Sequence, residues 1–255
     1  MDADFERRFG GTRRLYGTRA IDRFRQANVC IVGIGGVGSW AAEALARSAI
    51  GHITLIDLDN IAESNANRQI HAVEENFGKA KVTAMAERIR TINPECVVTE
   101  IEDFITPGNA EVLLGSQFDV VIDAIDQVKA KVAMIAWCHQ SEVPIVVAGG
   151  AGGQVDPTRI KLDDLSRTEQ DPLLARVRSL LRKEHGFSRD PKRKFGIQAV
   201  YSSEALRQPL PDDGCTISTS PSGLNCAGYG SSVCITASFG LFASSVALRI
   251  IAEAD

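Results

Sequence analysis

Residues 29–38 read Val29-Cys30-Ile31-Val32-Gly33-Ile34-Gly35-Gly36-Val37-Gly38, an apolar run that breaks into glycines and then into the helical pattern Ser39-Trp40-Ala41-Ala42-Glu43-Ala44-Leu45. That order predicts a buried strand over 29–33, a tight turn, and a helix over 39–49. Gly33 permits the turn, Gly35 lets a ligand approach the backbone, and Gly38 lets helix pack on strand. Gly36 exceeds what a plain dinucleotide fingerprint requires. Backbone N–H groups in such a turn, at a helix N-terminus, suit a phosphate.

Outward from this turn the chain alternates. Strands are expected over 53–57, 97–101, 118–123 and 144–148, and helices over 78–91, with Pro94 marking the exit, and 129–139. Alternation of this kind predicts an α/β chain with a doubly wound, mostly parallel, Rossmann-like sheet. In such sheets ligands bind beyond the carboxyl ends of the strands. Those ends carry Gly33, Asp57, the segment Asp123 to Asp126, and the run Gly149-Gly150-Ala151-Gly152-Gly153.

Flanking segments depart from the alternation. The first 28 residues are charged and contain seven arginines, with no element assigned. Beyond residue 150, a short hairpin turning at Asp156-Pro157 is expected over 153–162. An amphipathic helix follows over 171–184, with Leu173, Val177, Leu180 and Leu181 on one face. A mobile basic loop is expected over 186–195, a strand over 197–202, and an active-site flap or linker over 203–225. Together these form an antiparallel C-terminal extension. Residues 214–248 hold no charged side chain. The most helical part, Val233 to Leu248, contains Gly240, Thr236 and three serines, and is shorter than the ~20 apolar residues of a bilayer span. A helix buried in the core or a dimer interface is therefore expected, with membrane association through 233–248 as the disfavoured alternative.

Composition narrows the class. The chain has 255 residues, 44% of them hydrophobic, and a formal charge of −4, which excludes the low-hydrophobicity, high-charge regime of disordered chains. Between Asp171 and Gly196 stand eight Lys or Arg against three acids. A local excess of +5 on an acidic body suits an anionic partner; from charge alone a solvated helix and loop would serve as well. Six cysteines are scattered with no C-x-x-C pair, which argues against a structural zinc site. Cys30, Cys96 and Cys138 lie in apolar stretches and are expected to be packed thiols. The start carries no signal-peptide pattern, so a reducing cytoplasm is expected.

The residues after the second strand select the nucleotide. Asp57, about 20 residues beyond the glycines, stands where a carboxylate binds ribose. Asn65, Arg68, Gln69 and Lys81 are surplus for NAD. They suit a reaction in which a nucleophile attacks an α-phosphate and pyrophosphate leaves, because Arg and Lys neutralise charge on the leaving group. Asp126 would hold magnesium, which takes one or two carboxylates plus phosphates. The expected cofactors are ATP and magnesium rather than NAD.

With these residues in place the chain resembles the ubiquitin-activating-enzyme superfamily, through G-x-G-G-x-G at 33–38, D-x-D at 57–59, N-x-x-R-Q at 65–69, Lys81 and D-x-x-D at 123–126. More closely it resembles a branch of tRNA-modifying dehydratases. The stretches RFGGTRRLYG (8–17), GIGGVGSWAAEALARS (33–48), ANRQIHA (66–72), INPEC (92–96), GGAGGQVDPT (149–158) and QDPL (170–173) carry that likeness. The resemblance implies one adenylating domain over 1–255, with a nucleotide-binding half (1–150) and a substrate and dimer half (151–255). It implies a nucleotide site of Gly36, Asp57, Asn65, Arg68, Gln69, Lys81 and Asp126. Arg14 would act as an arginine finger across a homodimer. The implied reaction is ATP-dependent cyclisation of threonylcarbamoyladenosine beside the anticodon of tRNA, with Arg176, Arg182, Lys192, Arg193 and Lys194 on the tRNA and no role for DNA. Cys226 would be structural or a contact for sulfur-relay partner proteins. Two alternatives stay open: adenylation of the C-terminus of a ubiquitin-like carrier, and a non-catalytic nucleotide-binding module docked at a membrane.

Overall fold

The computed structural model describes residues 3–115, 118–207 and 229–254. In chain order the elements are α1 (Ala3–Tyr16), α2 (Thr18–Gln26), β1 (Asn28–Val32), α3 (Gly38–Arg47), β2 (His52–Ile56), α4 (Lys81–Ile92), β3 (Val97–Ile101), α5 (Ala110–Leu114), β4 (Val120–Asp123), α6 (Val128–Gln140), β5 (Ile145–Ala148), β6 (Ile160–Asp164), α7 (Pro172–Glu184), β7 (Gln198–Ser202) and α8 (Val233–Glu253). The strands form one sheet in the order β3-β2-β1-β4-β5-β7-β6. All pairs are parallel except β6 with β7. The doubly wound, mostly parallel sheet and its antiparallel edge are as the sequence pattern implies.

Successive strand residues face opposite layers, which is why the central strands β1, β4 and β5 are almost wholly apolar. Val29 and Ile31 of β1 join one core with Ile21 and Phe24 of α2, Leu45 of α3, Met85 of α4 and Phe239 of α8. Cys30 and Val32 join the other, with Ile135 of α6 and Leu174, Val177 and Leu181 of α7. Strand order reverses between β1 and β4. Register puts Val32 level with Ile56 on one side and Asp123 on the other, and Asp123 level with Val147. The residues that follow these four therefore emerge together at one end of the sheet.

The sequence pattern left the start unassigned, and three of its expectations need correction. The arginine-rich start is two helices: Phe5 and Phe9 of α1, and Ala20, Ile21 and Phe24 of α2, are buried at helical spacing beneath solvated arginines. Residues 153–162 are not a hairpin. Asp156 accepts from the Thr158 N–H and caps one short helical turn, Glu204 accepts from the Val155 and Asp156 N–H groups, and β6 pairs with β7 far along the chain. The Asp-Pro signal is a cap rather than a chain reversal. The basic loop over 186–195 is anchored rather than free: Phe187 and Phe195 are buried edge to face, and Asp164 accepts from the Phe195 and Gly196 N–H groups. The last helix is longer than expected, 21 residues, and is long and apolar enough to cross a membrane by length and composition. It nonetheless packs on α2, α3 and the sheet, with Ile235, Phe239, Ala243 and Ala247 fully buried. Most of the 203–225 segment, Cys215 included, lies outside the described residues, as does Cys226.

Candidate active site

At the switch between β1 and β4 lies a cavity of about 260 Å³. Gly33, Gly35, Gly36, Asp57, Arg68, Gln69, Lys81 and Asp126 all stand on its wall, as the sequence reading requires. Gly33 takes φ +88°, and a Cβ there would meet Ile125 and Ala124 at 2.8–3.0 Å. A Cβ on Gly38 would fall 1.8 Å from the Gly33 carbonyl. No other residue fits either place without moving backbone.

Asp57 follows β2 directly and turns its carboxylate inward. Oδ2 accepts from the Ile34 N–H at 2.6 Å and Oδ1 from the Asp59 N–H at 2.9 Å. Burial pushes its carboxyl upward, opposed by Lys81 and by these two donors. Each oxygen keeps a free lone pair, so the group that braces the glycine turn also has capacity for a ribose hydroxyl. Lys81, the first residue of α4, is buried; its Nζ lies 2.7 Å from Asp59 and 3.9 Å from Asp57. An ammonium held between two carboxylates is a fixed positive point on the cavity wall.

Arg68 and Gln69 come from the turn between β2 and α4. Asn65 builds that turn: its carbonyl accepts from the Arg68 and Gln69 N–H groups, and its Oδ1 from the Ala62 N–H. Asn65 is buried beneath the turn and is not on the cavity wall, so its place is support rather than direct contact. Arg68 donates through Nη1 to the Ser64 carbonyl and to Asn67, leaving other guanidinium donors free to act. Gln69 is buried, and its Oε1 has no hydrogen-bond partner among the described residues. Asp126, after β4, is exposed on the opposite side of the cavity. Asp123 of the same motif is not a wall residue. It is fully buried, 2.8 Å from the equally buried Lys131, whose Nζ also donates to the Ala148 carbonyl.

Two parts of the wall were not legible in the sequence, helix α8 and the loop after β3. Thr236 of α8 reaches the glycine turn, and a Cβ on Gly36 would meet its methyl at 3.2 Å and Arg68 Cγ at 3.3 Å. The extra glycine thus admits both Arg68 and α8. Gly240, one turn on, lets α8 approach Val37, where a Cβ would lie 2.5 Å from the carbonyl. Phe104 also lines the cavity and is missed, because nothing in the loop after β3 is periodic.

Two groups of expected residues lie elsewhere. Arg14 is exposed on α1, away from this cavity. Asp171 caps α7 and accepts from the Gly150 N–H at the cavity end of the sheet. Helix α7 then runs alongside α6 until Phe187 meets His139 at 4.7 Å. With α6 13 residues long, the basic loop stands roughly 20 Å from the cavity, at the other end of the sheet. Arg176 and Lys192 to Lys194 are exposed, whereas Arg182 donates to the Ser188 carbonyl and covers the Phe195 ring. Among the described residues no three His, Cys, Asp or Glu converge as a metal cage.

Comparison with known proteins accords with this geometry. Residues 11–253 match the model of the ThiF family. A tRNA threonylcarbamoyladenosine dehydratase of Haemophilus influenzae is 52% identical over 95% of this chain and 92% of its own length. The enzyme of that name from Escherichia coli is 50% identical over 96% of this chain and 93% of its own. A crystal structure of the E. coli tRNA N6-threonylcarbamoyladenosine dehydratase in complex with ATP superposes with a TM-score of 0.89 at 48% identity, covering 98% of this chain and 96% of that one.

Proposed function

Since the chain belongs to the ThiF family, we propose that it is a cytoplasmic ATP-dependent tRNA-modifying dehydratase that closes threonylcarbamoyladenosine beside the anticodon into its cyclic form. The observation that carries this reading is one cavity that brings together the glycine turn, the Asp57 carboxylate, Arg68 and Lys81. The glycine turn and α3 N-terminus would cradle phosphate, and Asp57 would take the ribose. The threonyl carboxylate attacks the α-phosphate: a carboxyl O–P bond forms, the P–O bond to pyrophosphate breaks, and an acyl-adenylate results. Arg68 and Lys81 stabilise the charge that builds on pyrophosphate. The carbamoyl group then attacks the activated carbonyl, and AMP leaves with the oxygen that dehydration removes. This second step is intramolecular, so positioning alone accelerates it greatly.

A magnesium ion fits the chemistry of the wall. Asp126 offers one hard carboxylate, and magnesium is commonly held by one or two carboxylates plus substrate phosphates. When bound, the ion would neutralise phosphate charge. Asp126 would hold it, and Asp123, locked to Lys131, would not.

Exposed Arg176 and Lys192 to Lys194 would contact tRNA phosphates away from the reacting base, while Arg182 belongs to the fold. Arg14 would complete the cavity of a second subunit in a homodimer. Incubation with ATP and tRNA bearing threonylcarbamoyladenosine should yield one AMP per cyclised base. AMP release that needs a ubiquitin-like carrier, and none with tRNA, would overturn the reading.

A further inference from the structure

We infer that His71 is a positioning residue that locks the glycine turn to the Arg68–Gln69 turn, so that both halves of the phosphate site keep one geometry. The inference rests on the ATP reading above. His71 is 1% exposed and lies outside the cavity wall. Its Nε2 sits 3.0 Å from the Ile34 carbonyl oxygen. A carbonyl only accepts, so Nε2 carries the proton and donates.

The other ring nitrogen, Nδ1, is buried and has no hydrogen-bond partner among the described residues. It is therefore the bare, unprotonated nitrogen of a neutral ring. Burial, with Lys81 and Arg88 nearby, lowers the imidazole to about 4, in keeping with that tautomer.

The Ile34 residue is thus held at both ends. Its N–H donates to Asp57 at 2.6 Å, and its C=O accepts from His71. Ile34 stands between Gly33 and Gly35, which supply no side chains to pin the turn themselves. His71 in turn belongs to the segment that carries Arg68 and Gln69: Ala72 N–H donates to the Gln69 carbonyl, and Asn76 donates to the His71 carbonyl. One imidazole therefore sets the distance between backbone donors for phosphate and the guanidinium that faces it. A phosphate-binding turn made of glycines otherwise loses much conformational freedom when ligand binds.

The test is calorimetric titration of ATP and of adenosine, with steady-state kinetics, on His71→Leu and His71→Gln. The Leu variant removes the donor; the Gln amide restores an N–H at similar reach. ATP affinity of the Leu variant should fall roughly tenfold, the scale of one buried hydrogen bond and the acceptor it leaves unpaired. Adenosine affinity should stay the same, since adenosine has no phosphate to place. KM for ATP should rise more than kcat falls, and Gln should recover most of the loss. Should the Leu variant fail to fold, His71→Asn, whose amide is too short to reach Ile34, takes its place with the same expectation. Unchanged ATP affinity in the donor-less variant, or equal losses for ATP and adenosine, overturns the inference. A parent protein that binds adenosine but gains nothing from the phosphates refutes the ATP reading itself, and this inference with it.

Discussion

Lys81 and Arg68 are the cations with the clearest work at this site. Both face the cavity, one fixed by Asp57 and Asp59, the other tethered to Ser64 and Asn67. Lys81→Ala and Arg68→Ala should each lower kcat for AMP release by roughly a hundredfold or more, with far-ultraviolet circular dichroism unchanged. Near-parental turnover in either variant would remove it from the mechanism. His71 gives a pH signature. Its folded value, about 4, lies below the unfolded imidazole, so the unfolded chain binds more protons between them. The stability this neutral burial confers is complete above about pH 6.5 and declines as pH falls toward 4, by ~3 kcal/mol in all. His71→Gln should flatten the melting temperature against pH across that window relative to the parent. Parallel curves would show that His71 does not govern the slope. Cysteine behaves as its surroundings dictate: burial pushes Cys96 and Cys138 up to about 12 and Cys30 higher still, leaving them packed thiols.

Helix α8 is the element whose role differs most from its sequence pattern. Its uncharged face covers the sheet, while Thr236 and Gly240 let it press on the glycine turn and α3. Gly240→Leu should therefore destabilise the fold by several degrees in melting temperature and weaken ATP binding together. A stable variant with parental affinity would show that α8 merely rests on the turn. Helix α7 and its loop allow a sharper division. Lys192, Arg193 and Lys194 are exposed and, among the described residues, make no side-chain contacts that hold the loop, which Phe187, Phe195 and Asp164 anchor instead. Replacing all three with alanine should weaken tRNA binding and reduce its salt dependence without changing ATP affinity. Arg182→Ala should instead lower stability and leave the salt slope alone. Equal tRNA affinity for triple variant and parent across a salt series would send the search to the arginines of α1 and α2.

Over the whole molecule the site is built by the end of one sheet, yet Arg14 stands outside it. Leu15 and Tyr16 beside it, and Leu241 and Phe242 on α8, leave large apolar side chains exposed, consistent with a surface for a second copy. If that copy supplies Arg14, inactive Arg14→Ala and inactive Lys81→Ala chains should regain AMP release when mixed and allowed to exchange subunits. Mixed dimers that form and stay inactive would place Arg14 in its own chain's site or outside the chemistry. An active monomer at micromolar concentration in sedimentation would refute the dimer altogether.

Residues 29–38 and the spacing of Asp57, Arg68, Gln69, Lys81 and Asp126, with the alternation around them, determined the sheet, its switch point and about half of the cavity wall, because buried parallel strands must be apolar on both faces and a phosphate turn must be glycine. Local rules of this kind are written in neighbouring residues. Tertiary structure alone decided the rest. It turned Asp123 inward to Lys131 and Asn65 beneath its turn, paired β6 with a strand more than 30 residues distant, and committed Arg182 to Phe195. It also gave Gly36 its reason, since the atoms that crowd that glycine belong to Arg68 and to Thr236, 200 residues further on. Each of these depends on which side chain long-range packing brings within a few ångströms, and no pattern of adjacent residues contains that distance.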